Sequence, residues 1–316
     1  MSDEHVDLSY DAEQDALAAS VRGVVARWQT GVGDDDHGGH PHGLWKELAE
    51  LGVFGLATPE GGGGAQEIAA VMEVLGEAAA PGPLVPTFMA AQLTGEPERS
   101  RIASGDSVAS VGSPPLLPWA AVADVFVELA IDEAWVARPE GDVEAVETLA
   151  GEPWGRVALE RLAPVDDARR RRALVIGDVA VAAYLVGAAG HLVAITSQWL
   201  QDREQFGRPI GQFQSLAHPL ADVAIHTRAA RALTRLAAYA ADSSDVDAAA
   251  TAAATARLSA TRAAVDATYR AHQSFGALGF TVEGPVARVG QRARQVSLHP
   301  PGPAAARQLA LAATGL

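Results

Sequence analysis

Apolar residues along the first part of the chain recur at helical spacing. Leu8, Leu17, Val21, Val24, Val25 and Trp28 predict a helix over 8–29, and a short helix follows over 43–51. After the segment TPEGGGG (Thr58 to Gly64), Ile68, Val71, Met72 and Leu75 share one face of a helix predicted over 65–79. PGPLVP (Pro81 to Pro86) ends that stretch, and a further helix is expected from near Thr87. Between 96 and 165 the apolar residues gather into short Val-rich runs: SVASVG, VADVFVELAI, EAWVARP and GRVALERLAP. These predict short strands in a small antiparallel sheet. From 166 onward the helical period returns. Val179, Ala182, Val186, Ala189, Ile195 and Trp199 mark a long helix over 172–202, and Leu216, Leu220, Val223, Ala230, Leu233 and Leu236 mark another over 213–242. A third, over 245–274, is rich in Ala, with Ser243, Ser244 and Asp245 as N-cap candidates. The fold class is therefore mainly α with a small β domain: an N-terminal helical domain (1–95), a small β domain (96–165) and a C-terminal helical bundle (166–316).

Charge and composition narrow the functions open to such a fold. With 39 acidic and 24 basic residues among 316, the formal net charge is −15, which makes nucleic acid and anionic membranes poor partners. The absence of cysteine removes disulfides, thiolate nucleophiles and Cys-ligated metal clusters. Charges or Gly/Pro interrupt every apolar run before the length of a membrane span, and the acidic MSDEHVDLSY has no apolar signal core, so a cytoplasmic protein is expected. Lys46 is the only lysine and falls on a polar helix position, which argues against Schiff-base chemistry.

Several segments offer candidate chemistry. GVGDDDHGGHPHG holds Asp34, Asp35, Asp36, His37, His40 and His42, which are metal-ligand types, but the interleaved Gly and Pro favour a solvated loop. The glycines of TPEGGGGAQ precede a helix, where backbone amides can hold phosphate; without a following Lys or a preceding strand they read as a turn. No G-x-S-x-G is present, and His218 and His226 are two helical turns apart, too far to share a metal. DREQFGRPIGQFQ is more informative, since Arg203 and Arg208 supply forked donors suited to phosphate and Phe206 an apolar plate. In AHQSFGALGFTVEGP, Gln273 is an amide able to read a polar ligand edge, and Gly276 and Gly279 permit close backbone approach.

These two clusters, in this order, resemble the acyl-CoA dehydrogenase family. REQFGRPIGQFQ is similar to the family's flavin-contacting loop and QSFGALGFTVEGP to its second one, while LWKELAELGVFGLATPEGGGG resembles its N-terminal Leu-Gly turn followed by Pro-Glu and glycines. The resemblance implies the family's domain order, with a C-terminal four-helix bundle, and FAD as cofactor. It further implies that Arg203 binds the FAD pyrophosphate, Phe206 packs on the flavin nucleotide and Gln214 hydrogen-bonds it. Gln273, Gly276 and Gly279 would contact it near the pyrophosphate and adenosine. In the family these contacts reach a dinucleotide housed mainly by the neighbouring subunit.

Family chemistry is α,β-dehydrogenation of an acyl-CoA, in which a Glu removes the α proton and the β hydride moves to the flavin. Where most members carry that Glu, this sequence has Pro300; where others place it on the long helix, it has Gly177. Asp178 is adjacent, but one residue turns a helical side chain by about 100°. The β domain looks truncated and lacks the Thr-Glu-Pro and Gly-Ser-Asp run that packs on the isoalloxazine. Together these departures resemble the non-catalytic subunit of heteromeric α2β2 acyl-CoA dehydrogenases of actinobacterial steroid catabolism. The resemblance then implies a heterotetramer with a paralogous catalytic subunit, an acyl-CoA substrate whose steroid-like acyl group is expected from the heteromeric likeness alone, and electron-transfer flavoprotein as acceptor. The alternatives are a self-sufficient homo-oligomer using Asp178 as base and a structural pseudoenzyme without a flavin role.

Overall fold

The computed structural model describes residues 7–31, 39–58, 61–243, 245–281 and 283–313. Five helices come first: α1 (Ala12–Gly31), α2 (His42–Glu50), α3 (Ala65–Glu77), α4 (Leu84–Leu93) and α5 (Glu98–Ala103). Helix α4 starts earlier than the sequence predicts, because Pro86 falls in its first turn, where a missing N–H costs nothing. Every residue of α4 except Gln92 is buried.

Five strands follow: β1 (Ala109–Gly112), β2 (Leu116–Leu117), β3 (Val125–Leu129), β4 (Ala134–Val146) and β5 (Trp154–Pro164). They form one sheet in the order β1-β3-β4-β5-β2. The sheet is mixed, not purely antiparallel as expected. β1 and β3 run parallel, with Ala109 opposite Val125 and Gly112 opposite Glu128. The reason is the connection: after β1 the chain crosses to the far edge, pairs there as β2 with β5, and returns to lay β3 beside β1 in the same direction.

The bundle comprises α6 (Asp167–Asp202), α7 (Gln214–Ser243), α8 (Val246–Phe275), α9 (Ala287–Ser297) and α10 (Pro303–Ala313), with a short strand pair, β6 (Glu204–Gln205) and β7 (Arg208–Pro209), between α6 and α7. Asp166 caps α6 by accepting from the Arg169 amide, and Asp245 caps α8 by accepting from the amides of Asp247 and Ala248. Helix α6 is buried on all sides from Ala173 to Ala189. It has a window long and apolar enough to cross a membrane, which the sequence reading did not find, and 94% of that window is buried inside the protein. On α8, Ala253, Ala256, Ala260, Ala263, Ala264 and Ala267 are buried, so small side chains let the helices pack closely. One continuous core joins the N-terminal helices, one face of the sheet and the bundle.

Candidate functional site

The two glycine- and glutamine-bearing segments that stand out in the sequence meet at one end of the bundle. Helix α6 ends at Arg203, whose amide donates to the Trp199 carbonyl at 2.9 Å. β6 and β7 then form a tight hairpin whose two turn residues, Phe206 (φ 55°) and Gly207 (φ 77°), both have positive φ. Phe206 is 91% exposed, with its ring edge-on to Phe213 at 6.1 Å, and the Arg208 guanidinium lies 4.2 Å over Phe213. Gln214 is the exposed first residue of α7.

Trp199 seats this hairpin on the end of α8. Its ring stacks on Phe275 (4.8 Å between centroids, 14° between planes), its Nε1 donates to the Ser274 carbonyl at 3.0 Å, and Arg203 lies 6.0 Å from its centroid. Gln273, one residue before Ser274, is exposed and accepts from Arg270 at 3.2 Å. Gly276 ends α8 at φ 61°, and Gly279 is buried in the single 3-10 turn that follows. Beside Gln273 opens an apolar cavity of about 640 Å³ lined by Val265, Tyr269, Phe280 and Leu149. Through Trp199, the structure brings the Arg203 end of α6 to the Ser274–Phe275 end of α8, while Phe206 stands out on the hairpin beside Phe213. Sequence reasoning treated Trp199 as a core position; its place four residues before Arg203 was the available signal.

Pro300, Gly177 and Asp178, the sequence candidates for a base position, lie away from this end of the bundle. Pro300 packs on the end of β1: a Cβ on Gly112 would sit 2.7 Å from Pro300 Cγ. A Cβ on Gly177 would sit 2.7 Å from Met89 Sδ of α4. Asp178 is 2% exposed and its Oδ1 lies 2.6 Å from Arg257 Nη1. Burial pushes its carboxyl up, against the pull of Arg257. Arg257 Nη2 also donates to the His299 carbonyl, and His299 Nε2 stands 3.1 Å from Glu152. Glu152 further accepts from Arg292 at 3.2 Å and Trp154 Nε1 at 2.9 Å. Burial alone would raise the Glu152 carboxyl, but His299, Arg292 and Trp154 outweigh it and hold it below the usual range. A cleft of about 450 Å³ beside this network is lined by Ser113, Leu116, Ala130, Trp154, Pro300 and Pro301.

The remaining candidates are placed as follows. Asp34, Asp35, Asp36 and His37 lie outside the described residues, as do Pro59 and Glu60 of the glycine-rich segment. His40 and His42 approach Nδ1 to Nδ1 at 3.3 Å, and no group of three ligating side chains occurs among the described residues. The N-terminus of α3 is occupied by Asp242, which accepts from the amides of Ala65 (2.9 Å) and Gln66 (3.0 Å). Those amides are satisfied within the chain and do not await a phosphate. Lys46 is exposed and pairs with Glu50 at 3.9 Å.

The sequence matches acyl-CoA dehydrogenase, N-terminal domain, over residues 11–97 and acyl-CoA dehydrogenase, C-terminal domain, over residues 170–299. It is 31% identical over 268 residues to acyl-CoA dehydrogenase IpdE2 of Mycobacterium tuberculosis, covering 78% of each chain. The chain belongs to the acyl-CoA dehydrogenase family. Two solved structures of high similarity are a Tcur3481-Tcur3483 steroid ACAD variant (TM-score 0.81, 25% identity, 96% of this chain and 98% of that one) and the ChsE4-ChsE5 complex from Mycobacterium tuberculosis (TM-score 0.81, 23% identity, 98% and 100%). The butyryl-CoA dehydrogenase of Megasphaera elsdenii shares the fold at TM-score 0.80 and 18% identity, with 98% of this chain and 100% of that one covered. FAD is the cofactor of the acyl-CoA dehydrogenases.

Whether this acyl-CoA dehydrogenase chain suits FAD depends on the side considered. The end of the bundle suits it: an exposed aromatic ring, an arginine and two exposed amides stand on a rigid Trp199–Phe275 base. On the other side, the two sequence positions considered for a base, Pro300 and Gly177, are each packed against their neighbours, Gly112 and Met89. Sequence reasoning missed Glu152, Arg257 and Arg292. Arginines inside alternating apolar helix faces were the signal for the last two.

Proposed function

We propose that this chain is the non-catalytic subunit of a heteromeric acyl-CoA dehydrogenase and completes the FAD site of a paralogous catalytic subunit. The observation that carries the reading is a contrast. The donor and aromatic groups suited to a dinucleotide are exposed and rigidly seated, whereas both base positions are filled by packing. Two copies of this chain alone would each offer such groups to a cleft with no base, so the partner must be a paralogue carrying its own. The names of the similar structures, one a steroid ACAD and one a two-protein complex, favour the same reading, with a steroid-derived acyl group as substrate.

In that assembly the Arg203 guanidinium holds the pyrophosphate with forked hydrogen bonds, and Phe206 packs on the nucleotide. Gln214 and Gln273 hydrogen-bond the dinucleotide, while Gly276 and Gly279 let the backbone approach it. FAD, when bound, supplies the hydride acceptor for α,β-dehydrogenation, and the partner's carboxylate removes the α proton. Reoxidation by electron-transfer flavoprotein completes the proposed cycle.

Asp178 as an intrinsic base in a homo-oligomer is disfavoured by its burial against Arg257. A structural role without flavin leaves the exposed, positive-φ Phe206 without an explanation. The deciding experiment expresses the chain alone and together with its paralogue. Alone it is expected to purify without flavin or turnover; co-expression restores both. Arg203→Ala in the complex should weaken flavin retention about tenfold or more, as expected for losing hydrogen bonds to a charged group. A yellow, fully active isolated chain overturns the reading.

A further inference from the structure

Arg208 shares the β6–β7 hairpin with Phe206, yet it is none of the groups assigned above to FAD. In β7 it stands directly opposite Gln205 of β6, while Glu204 stands opposite Pro209. The Ile210 amide donates to the Arg203 carbonyl at 2.8 Å and extends that register by one step. Opposed residues of an antiparallel pair share a face, and successive residues of a strand alternate between faces. Arg203, Gln205 and Arg208 therefore belong to one face of the hairpin, and Glu204, its only acid, belongs to the other.

The Arg208 guanidinium is seated on an aromatic ring. It lies 4.2 Å over Phe213, and the same ring receives Phe206 edge-on. Phe213 in turn packs against the buried cluster of Leu200, Ile210 and Leu220. A guanidinium laid on a ring keeps its N–H edges available for forked hydrogen bonds. Those edges are uncommitted: Arg208 is exposed, and its side chain makes no ion pair or hydrogen bond among the described residues. Arg203, 6.0 Å from the Trp199 ring, is likewise exposed and without an ion pair among them. We infer that Arg208 is a second phosphate-binding residue of this site, so that the hairpin offers one guanidinium to each phosphate of a linked pair. The inference rests on the FAD reading and sharpens it. A pyrophosphate diester is doubly charged, and the formal net charge of −15 repels a dianion, so local cations set apart from acids decide whether it binds. A ligand with two linked phosphates is therefore favoured over a flavin with one or none.

The test titrates FAD into the deflavinated, co-expressed complex at low and high sodium chloride, with wild type, Arg203→Ala, Arg208→Gln and Arg208→Lys compared. Arg208 is exposed, so both of its variants should fold. Arg208→Gln should weaken FAD binding about tenfold, as for losing hydrogen bonds to a charged group. It should also make binding less sensitive to salt, because one screened charge pair is gone. Arg208→Lys should recover part of the affinity and most of the salt sensitivity, since it keeps the charge and loses the fork. An Arg208→Gln complex that binds FAD like wild type, beside a weakened Arg203→Ala complex, overturns the second cation and leaves the FAD reading standing. Equal weakening by Gln and Lys with unchanged salt sensitivity also overturns it, because packing and not charge would then be at work. Unchanged binding in both Arg203→Ala and Arg208→Gln overturns the FAD reading itself.

Discussion

Phe206 shows how a single side chain can be read as functional. A bulky residue at φ 55° with its ring in water is doubly unfavourable, since it combines backbone strain with exposed apolar surface. The hairpin tolerates it because Gly207 completes the turn and Trp199 fixes the base. The sequence marks the residue only through its neighbours, Arg203 and Gln214. His40 illustrates the opposite case, a residue whose chemistry is structural. Burial lowers its pKa to about 4, while its ring contacts Trp45 and Trp119. The unfolded chain binds this proton near the ordinary value of about 6.5. Between those values the unfolded state therefore holds more protons, and the stability due to His40 is full above pH ~6.5 and is lost as pH falls toward 4. Urea-unfolding midpoints should drop across that window, and His40→Phe should flatten the drop. An unchanged pH profile in the variant would show that other groups set it.

At the scale of elements, hydrophobic period locates the long helices well. The expected 213–242 and 245–274 lie within a residue or two of α7 and α8. Helix α6 begins earlier than expected because its first turn, Asp167 to Arg172, is entirely polar except for Ala168; there the ion pairs of Arg170 and Arg171 with Asp167, not apolar spacing, mark the helix. Strand direction was not legible, because the parallel pairing of β1 with β3 depends on a crossover through β2 and not on any local pattern. The start of α3 makes the same point. Its glycine-rich approach looks like an anion site, yet the anion is Asp242, from the far end of α7, further paired with Arg172 at 3.3 Å. Removing that carboxylate leaves two amides without their cap. Asp242→Ala should cost about 1–2 kcal/mol, the range of a lost N-cap, measured by chemical denaturation. A loss within a few tenths would mean that water replaces the carboxylate without penalty.

Over the whole molecule, the least legible feature joins the β domain to the bundle. Glu152 lies in a Gly- and Pro-containing turn of the β domain, a setting that predicts solvent, yet it is 2% exposed. Arg292 of α9 and His299 beyond it converge on Glu152, and Arg257 of α8 links the His299 carbonyl to Asp178 of α6. These residues are scattered over half the chain, so neither period nor motif could assemble them. Their geometry explains why Pro300 lies where it does: the carbonyl before it is held by Arg257 and the side chain before it by Glu152. Glu152→Ala should destabilise the chain by about 3–5 kcal/mol, because it removes the buried acid on which Arg292, His299 and Trp154 converge. Glu152→Gln should recover part of that loss by keeping hydrogen bonds while removing charge. The sign with pH follows from the lowered carboxyl: the stability it contributes is present above its unfolded value and is lost as pH falls through the folded one. Denaturation midpoints of wild type and Glu152→Gln should therefore converge toward acid. Parallel curves over that range would show that the carboxylate charge contributes nothing to holding the β domain on the bundle.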